Sequence, residues 1–334
     1  MIGAVRSFGL VMLAAALGCG PARAEMEHAT LAIPGINVLF LAQHIASDLH
    51  LWEKDGLDVK VLQITGIGSM NAVIAGSADF SMSSGPSITR AWARGQKLHA
   101  LATAINQSGQ DIVIRKDIAE AAHFDPAAPL AARATILKGR TMAVGAVAAI
   151  PDVILKVIAK SAGIGPDEIR VAPMQPPEFM AAFARHAIDG FSNGPPYIQQ
   201  ALLDGSGVLV SDSTKGEPAE YSPVSAALLL ARADFCDGHK SICAKMVHGI
   251  VAATRFIHEH PRQSLAVMKA RYPTLDARVL EAAYEMVRAM SGNPPITSPK
   301  MLENSDDLNV RAGFIKPEEK LARYDELIDN SYVK

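Results

Sequence analysis

The chain is sparing with the residues that mark specialised chemistry. It has three cysteines, 5% aromatic residues and 20% charged residues among 334. No basic run occurs, and basic residues do not interleave with aromatic ones, so nucleic acid is not an expected partner. Neither G-x-G-x-x-G nor the lysine-containing phosphate loop is present, which removes the usual sequence grounds for nucleotide binding. No Ser-His-acid or G-x-S-x-G arrangement appears, and His44, His99 and His186 are scattered, so general hydrolysis lacks support. His258 and His260 lie beside Pro261 at a helix end, where capping or solvation accounts for them. The apolar run Phe8–Gly18 is too short to cross a bilayer. No cofactor is expected.

What is present reads as a soluble globular chain. Hydrophobic residues make up 49%, enough for a sizeable core in one large domain or two ordinary ones. The N-terminus has a different purpose. Arg6, the apolar run Phe8–Gly18 and the small-x-small site Ala22-Arg23-Ala24 form a signal-peptide pattern, with cleavage expected after Ala24 and export to the periplasm. Cys19 leaves lipidation as an alternative. The expected mature chain carries 30 basic and 34 acidic side chains, a net charge of −4. It keeps Cys236 and Cys243. In an oxidising compartment this pair suggests a disulfide; two reduced thiols on one helical face are the alternative. Two cysteines alone lack a metal ligand set.

The chain also repeats itself. AGSADFSMSSGP at Ala75–Pro86 is answered by RHAIDGFSNGP at Arg185–Pro195. With Asp79 set on Asp189, Asp58-Val59-Lys60-Val61 falls on Glu168-Ile169-Arg170-Val171, and Met70 on Met180. Shifted by one more residue, Thr30-Leu31-Ala32-Ile33 falls on Thr141-Met142-Ala143-Val144. Gly56 and Gly163 both stand where a helix C-cap is expected. Each copy reads as strand, helix, strand, helix, strand, helix. The strands are Thr30–Ile33, Val59–Ile64 and Ala78–Met82, then Thr141–Val144, Ile169–Met174 and Ile188–Ser192. The first helices are about Leu39–Leu51 and Pro151–Ala162, the second Ser69–Ala75 and Glu178–Arg185. Pro86 and Pro195 each open the next. Such alternation predicts parallel sheets in two α/β lobes.

The lobes are not in simple series. Leu98–Ala104 and Asp111–Ile114 read as further strands leading into the second lobe, and Ser225–Ala231 as a buried strand after a return crossing near Ser211–Tyr221. The expected division is residues 1–24 signal peptide, 25–108 plus 223–334 lobe 1, and 109–222 lobe 2. Lys116–Lys138 reads as a surface insertion. The tail reads as helices Ile242–His258, Pro261–Ala270 and Asp276–Met290, with a weaker one at Pro317–Asp329, packed on lobe 1.

Paired crossings leave a cleft, and in such sheets ligands bind beyond the strands' carboxyl ends. The loops there supply the candidate ligand-binding residues: Asn37, Gly68, Ser69, Ser83, Ser84, Ala146, Val147 and Asn193. Ser83-Ser84-Gly85 and Asn193-Gly194 precede helix N-termini, which favour an anion; a plain Gly-Pro turn is the alternative. Asn37 and Ser69 are placed either to donate to a ligand or to cap a helix. Glu178 suits a cationic ligand or an ordinary first helical turn. Asn106-Gln107-Ser108 face the cleft or solvate a turn. No Arg or Lys lies in these loops, so a small organic molecule with one anionic end is expected rather than a densely charged one.

The order of TLAIPG, GLDVKVLQITGIGSMNAVIAGSADFSMSSGP, LKGRTMAV and AIDGFSNGPP resembles the extracytoplasmic substrate-binding proteins of ABC importers, in the nitrate/sulfonate/taurine and thiamine-precursor group. The ending VRAGFIKPEEKLARYDELIDNSYVK is similar to that group's as well. The resemblance implies a type II periplasmic-binding-protein fold, with a mixed sheet flanked by helices in each lobe and a helical C-terminal tail. It also implies hinged closure on a small-molecule ligand, a monomer, and an ABC permease in the inner membrane as partner. Two other readings share the fold: a ligand-sensing subunit for a membrane receptor, and a relative of pyrimidine-synthesising enzymes, whose Cys-rich motif this chain lacks.

Overall fold

The structure is a computed structural model that describes residues 26–35 and 37–333, besides Met1. The expected cleavage site after Ala24 and Cys19 lie outside these residues.

Among the described residues, ten strands form two five-stranded sheets. β1 (Glu27–Ile33), β2 (Leu57–Gln63), β3 (Phe80–Ser83) and β4 (Leu98–Ile105) precede β5 (Asp111–Arg115). β6 (Thr141–Val144), β7 (Arg170–Pro173), β8 (Gly190–Asn193) and β9 (Gly207–Ser211) precede β10 (Ala227–Arg232). The orders are β2-β1-β3-β10-β4 and β7-β6-β8-β5-β9. Position by position they match. In each, the first strand lies parallel to the second and third, and an antiparallel strand is slotted beside the third. That slotted strand comes from the far side of a crossing, β5 after the first and β10 after the return. β10 carries Leu228, Leu229 and Leu230, all fully buried. A strand covered on both faces needs such an unbroken apolar run.

The repeated aspartates fix the strand ends in register. The N–H of Thr30 donates to the Asp79 carboxylate at 2.8 Å, and the N–H of Thr141 donates to the Asp189 carboxylate at 2.8 Å. Gly56 and Gly163 end their helices at φ +75 and +74, a conformation that costs glycine little.

The tail packs chiefly on the first sheet's lobe. The helix Lys240–Glu259 lies against the helix Leu41–Asp48. Trp52 is wedged over it: a Cβ on Gly249 would meet the indole at 2.2 Å, and the Trp52 ring N–H donates to the Met246 carbonyl. Cys236 and Cys243 are joined beneath this surface, both buried.

Four expectations need correction. A helix spans Pro299–Ala312, where none was expected, and Pro317–Asp329 holds only short 3-10 turns. The second sheet has an unforeseen strand, Gly207–Ser211. The helix after Pro195 begins only at Tyr197. The expected surface insertion Lys116–Lys138, most of it exposed, is not among these and holds two short helices, Lys116–Ala121 and Leu130–Ala134.

Candidate functional site

A cavity of about 130 Å³ opens between the two sheets' carboxyl ends, and loops of both lobes line it. A single water needs roughly 10–15 Å³ by the same measure, so the space suits a small molecule. From the first lobe come Pro34, Gly35 and Asn37 after β1, Gly66 and Ile67 after β2, and Ser83 and Ser84 at the end of β3. From the second come Gly145, Ala146 and Ala149 after β6, Gln175 and Pro176 after β7, and Asn193 at the end of β8. Every loop is the counterpart of one across the cleft.

Of the expected ligand residues, Asn37, Ser83, Ser84, Ala146 and Asn193 line this cavity. Gly68, Ser69 and Val147 do not. The Ser69 hydroxyl turns back to donate to the Gly66 carbonyl at 3.1 Å, holding the loop that presents Gly66 and Ile67. Val147 is exposed. Glu178 closes on its own helix start, accepting the Gln175 N–H. His44 is buried outside the lining, and burial lowers its pKa to about 3.

Asn37 both caps and bridges. Its Oδ1 accepts the Leu39 N–H at 2.8 Å, and its Nδ2 donates across the cleft to Asn193 Oδ1 at 3.4 Å. Gly66 sits at φ +58, and a Cβ there would stand 2.6 Å from the Ala146 Cβ on the opposite lobe. The lobes are therefore closed on each other.

The helix-end donors lie elsewhere than the repeat suggests. At the helix Gly85–Ala93, the Gly85 N–H donates to the Ser225 carbonyl, Pro86 has none, and the Ser87 and Ile88 N–H groups return to the Ser84 carbonyl. The Gly194 N–H donates to Asn193 Oδ1. At the helix Ile150–Ser161, by contrast, the N–H groups of Ile150 and Asp152 donate to no partner among the described residues, and Ile150 lines the cavity. Orphan donors of this kind, with the helix dipole behind them, favour an anionic or carbonyl oxygen.

Sequence reasoning missed Gln110 and Arg90. Gln110 lines the cavity, is buried, and leaves its Oε1 without a partner among the described residues. Its place at the first crossing was the available signal. Arg90 stands behind the cavity, 7% exposed. Its guanidinium donates to Asn309 Oδ1 and, at 2.6 Å, to the carbonyl of Ala148 in the second lobe. Burial draws its pKa down to about 10. Ala148 sits at φ +61, and its N–H donates to Asp152 Oδ2 at 2.7 Å. The alanine-rich loop is thus pinned from both lobes.

No curated protein sequence matches the chain. Several solved structures do match it along most of its length. The alkanesulfonate-binding protein of Xanthomonas axonopodis pv. citri, bound to MOPS, is 15% identical, with 92% of this chain and 99% of that one covered and a TM-score of 0.71. The periplasmic nitrate-binding protein of Synechocystis PCC 6803 is 14% identical, with 92% and 87% covered and a TM-score of 0.70. The desulfurization enzyme DszB is 13% identical, with 92% and 97% covered and a TM-score of 0.62. What is shared at these identities is the fold, the two-lobed architecture of periplasmic binding proteins. Within that fold, residues 24–270 match the family model, and the chain belongs to the NMT1-like family.

Proposed function

We propose that the chain is the periplasmic solute-binding component of an ABC importer. It captures a small organic molecule with one anionic end between lobes 25–108 plus 223–334 and 109–222, and delivers it as a monomer to a membrane permease. The observation that carries this reading is a cleft with no ionisable side chain among its lining residues, closed by the Asn37–Asn193 bond. Such a site binds by shape, neutral polar groups and helix-end N–H donors. It suits a monoanion better than phosphate, whose recognition draws on cationic side chains. Asn37, Ser83, Ser84, Gln110, Asn193 and the Ile150 N–H supply the polar contacts, and Ala146 and Phe40 the apolar wall. Gly68, Ser69 and Val147 shape the loops that carry the contacts. Sulfonates and nitrate, named for the similar structures, head the candidates.

The likeness to a desulfurization enzyme raises a catalytic reading. The cleft lining holds no cysteine, histidine, lysine or carboxylate to act as nucleophile or base, which favours binding over chemistry. The test is native mass spectrometry of purified protein, then a thermal-shift panel of sulfonates, aromatic carboxylates, nitrate and pyrimidines. A ligand at a hundredfold excess over its dissociation constant adds about 2.7 kcal/mol of stability. A shift without turnover supports the proposal. No shift with any small anion overturns the anion preference, and turnover overturns the binding role.

A further inference from the structure

A second cavity, of about 320 Å³, lies on the other side of the helix Ile150–Ser161, between that helix, the strand start at Ile169 and the end of the helix Pro299–Ala312. We propose that it is a binding site for a small amphiphile, an apolar body carrying one carboxylate or sulfonate.

Two features of its lining set the chemistry. The floor is apolar, with Leu155, Ile164 and Ile169 buried in it. The rim is cationic: Lys156, Lys160 and Arg311 all line the cavity, and no carboxylate does. Among the described residues, neither Lys160 nor Arg311 pairs with an acid, and Arg311 donates only to the Lys160 carbonyl, at 3.3 Å. Lys156 is held by Asp152 on the far side, at 2.9 Å. Two acids adjoin the wall in sequence: Glu168 is taken up by Lys138 and by the Gly165 N–H, and Asp167 does not line the cavity. An apolar pocket with two unspent cations at its mouth is complementary to an anion with a hydrocarbon body. The apolar part supplies affinity and the charges supply orientation. A neutral hydrocarbon leaves the cations unused, and a bare anion leaves the floor wet.

The probe is octanoate, titrated calorimetrically into the full chain, with octanol as its uncharged match. Octanoate is expected to bind, and octanol at least about tenfold more weakly, about 1.4 kcal/mol. Reversing the rim with Lys160→Glu and Arg311→Glu should weaken octanoate by about tenfold or more, and filling the floor with Ala159→Trp should abolish binding. Gly66→Val, which obstructs the cleft, should leave it unchanged, so failure of this site and of the solute-binding reading are told apart. Circular dichroism checks that each variant folds. If Ala159→Trp does not, the exposed-rim reversal decides. No octanoate binding by the unaltered chain, or binding that survives the rim reversal, overturns the proposal.

Discussion

The carboxylate of Asp79 accepts both the N–H and the hydroxyl of Thr30, each at 2.8 Å, and the Thr30 hydroxyl accepts the Asp79 N–H in return. Asp189 repeats the first of these bonds on Thr141, whose hydroxyl is engaged by Arg170 instead. The duplicated phrase in the sequence is thus a clamp between the first and third strands of each sheet. Asp79→Ala and Asp189→Ala should each lower the unfolding free energy by about 1–3 kcal/mol, because a part-buried N–H loses its acceptor. Asp79→Ala should cost more, having more bonds to lose. Urea denaturation measures this, and negligible losses in both variants would refute the clamp.

Much of this was legible before any coordinates, for a definable reason. The repeat carries strand ends and turns, whose residue choice is local: a Gly at positive φ, an Asp near a strand start, a Pro at a helix start. The helix Pro299–Ala312 was not legible because its buried face is mostly polar, with Asn304, Ser305, Asp306 and Asn309 beside only Leu302 and Leu308. A helix whose inner face is mostly polar has too few apolar positions for a hydrophobic period to be read. Its buried amides serve partners far away in sequence: Asn309 donates to the Pro86 carbonyl and accepts from Arg90, and Asn304 donates to the Pro223 carbonyl. The cleft loops were foreseen by analogy between strand ends. Which residues of each loop face inward depends on turns such as the Ser69–Gly66 bond, and these are settled by packing.

Gly66 reports on closure. Its φ of +58 and the 2.6 Å approach to Ala146 mean that any side chain there meets the opposite lobe. Gly66→Ala should weaken binding of the ligand found in the panel by about tenfold or more, through about 1–2 kcal/mol of left-handed strain and the clash in the closed form. Adding Ala146→Gly should recover the part due to the clash. Titration of both variants checks this, and equal affinities for the single and double variants would show that the lobes do not meet at Gly66.

The covalent link between Cys236 and Cys243 closes a short loop, with a sequence separation of 7. Loop-closure entropy for such a length is worth about 2–3 kcal/mol. Protein lacking residues 1–24, and with them Cys19, should show no free thiol until denatured and reduced, and its Cys236→Ser, Cys243→Ser double variant should lose no more than that amount in thermal or urea unfolding. Two titratable thiols in the native, unreduced protein would contradict the link.

Asp111 makes stability depend on pH. It opens β5 at the first crossing, is 2% exposed, and accepts the Ser213 N–H at 2.5 Å. Burial raises its pKa to about 7, with Asp212 and Glu217 adding to the rise. A carboxyl whose pKa is higher folded than unfolded binds more protons in the folded state between about pH 4 and 7. Its contribution is therefore complete below pH 4 and is lost as pH rises through 7. Asp111→Asn keeps an acceptor for Ser213 and cannot ionise. It should be more stable than the unaltered chain at pH 8, by a few kcal/mol at most, with the advantage vanishing near pH 4. Parallel denaturation curves across that range test the sign, and an advantage that grows toward acid would reverse the assignment.

Arg90 should act on the cleft without touching its contents. The guanidinium spans Asn309 in one lobe and the Ala148 carbonyl in the other, and its carbon centre lies 5.3 Å from the Phe314 ring centroid. Only a planar fork makes both bonds from one buried position, so Lys is a poor substitute. Removing a charged donor from buried acceptors costs about 1.5–3 kcal/mol for each bond. Arg90→Met should therefore destabilise the protein, but the telling measurement is local. Amide hydrogen exchange over residues 145–149 should rise well beyond the change elsewhere, and ligand affinity should fall as the alanine loop loses its fixed position. Arg90→Lys should recover stability more than it recovers protection of the loop. Ala148→Gly in the unaltered background should relieve about 1 kcal/mol of strain at φ +61 while leaving the Arg90 bond in place. If exchange in the loop merely follows global stability across all three variants, Arg90 is a core residue and not the support of the binding loop.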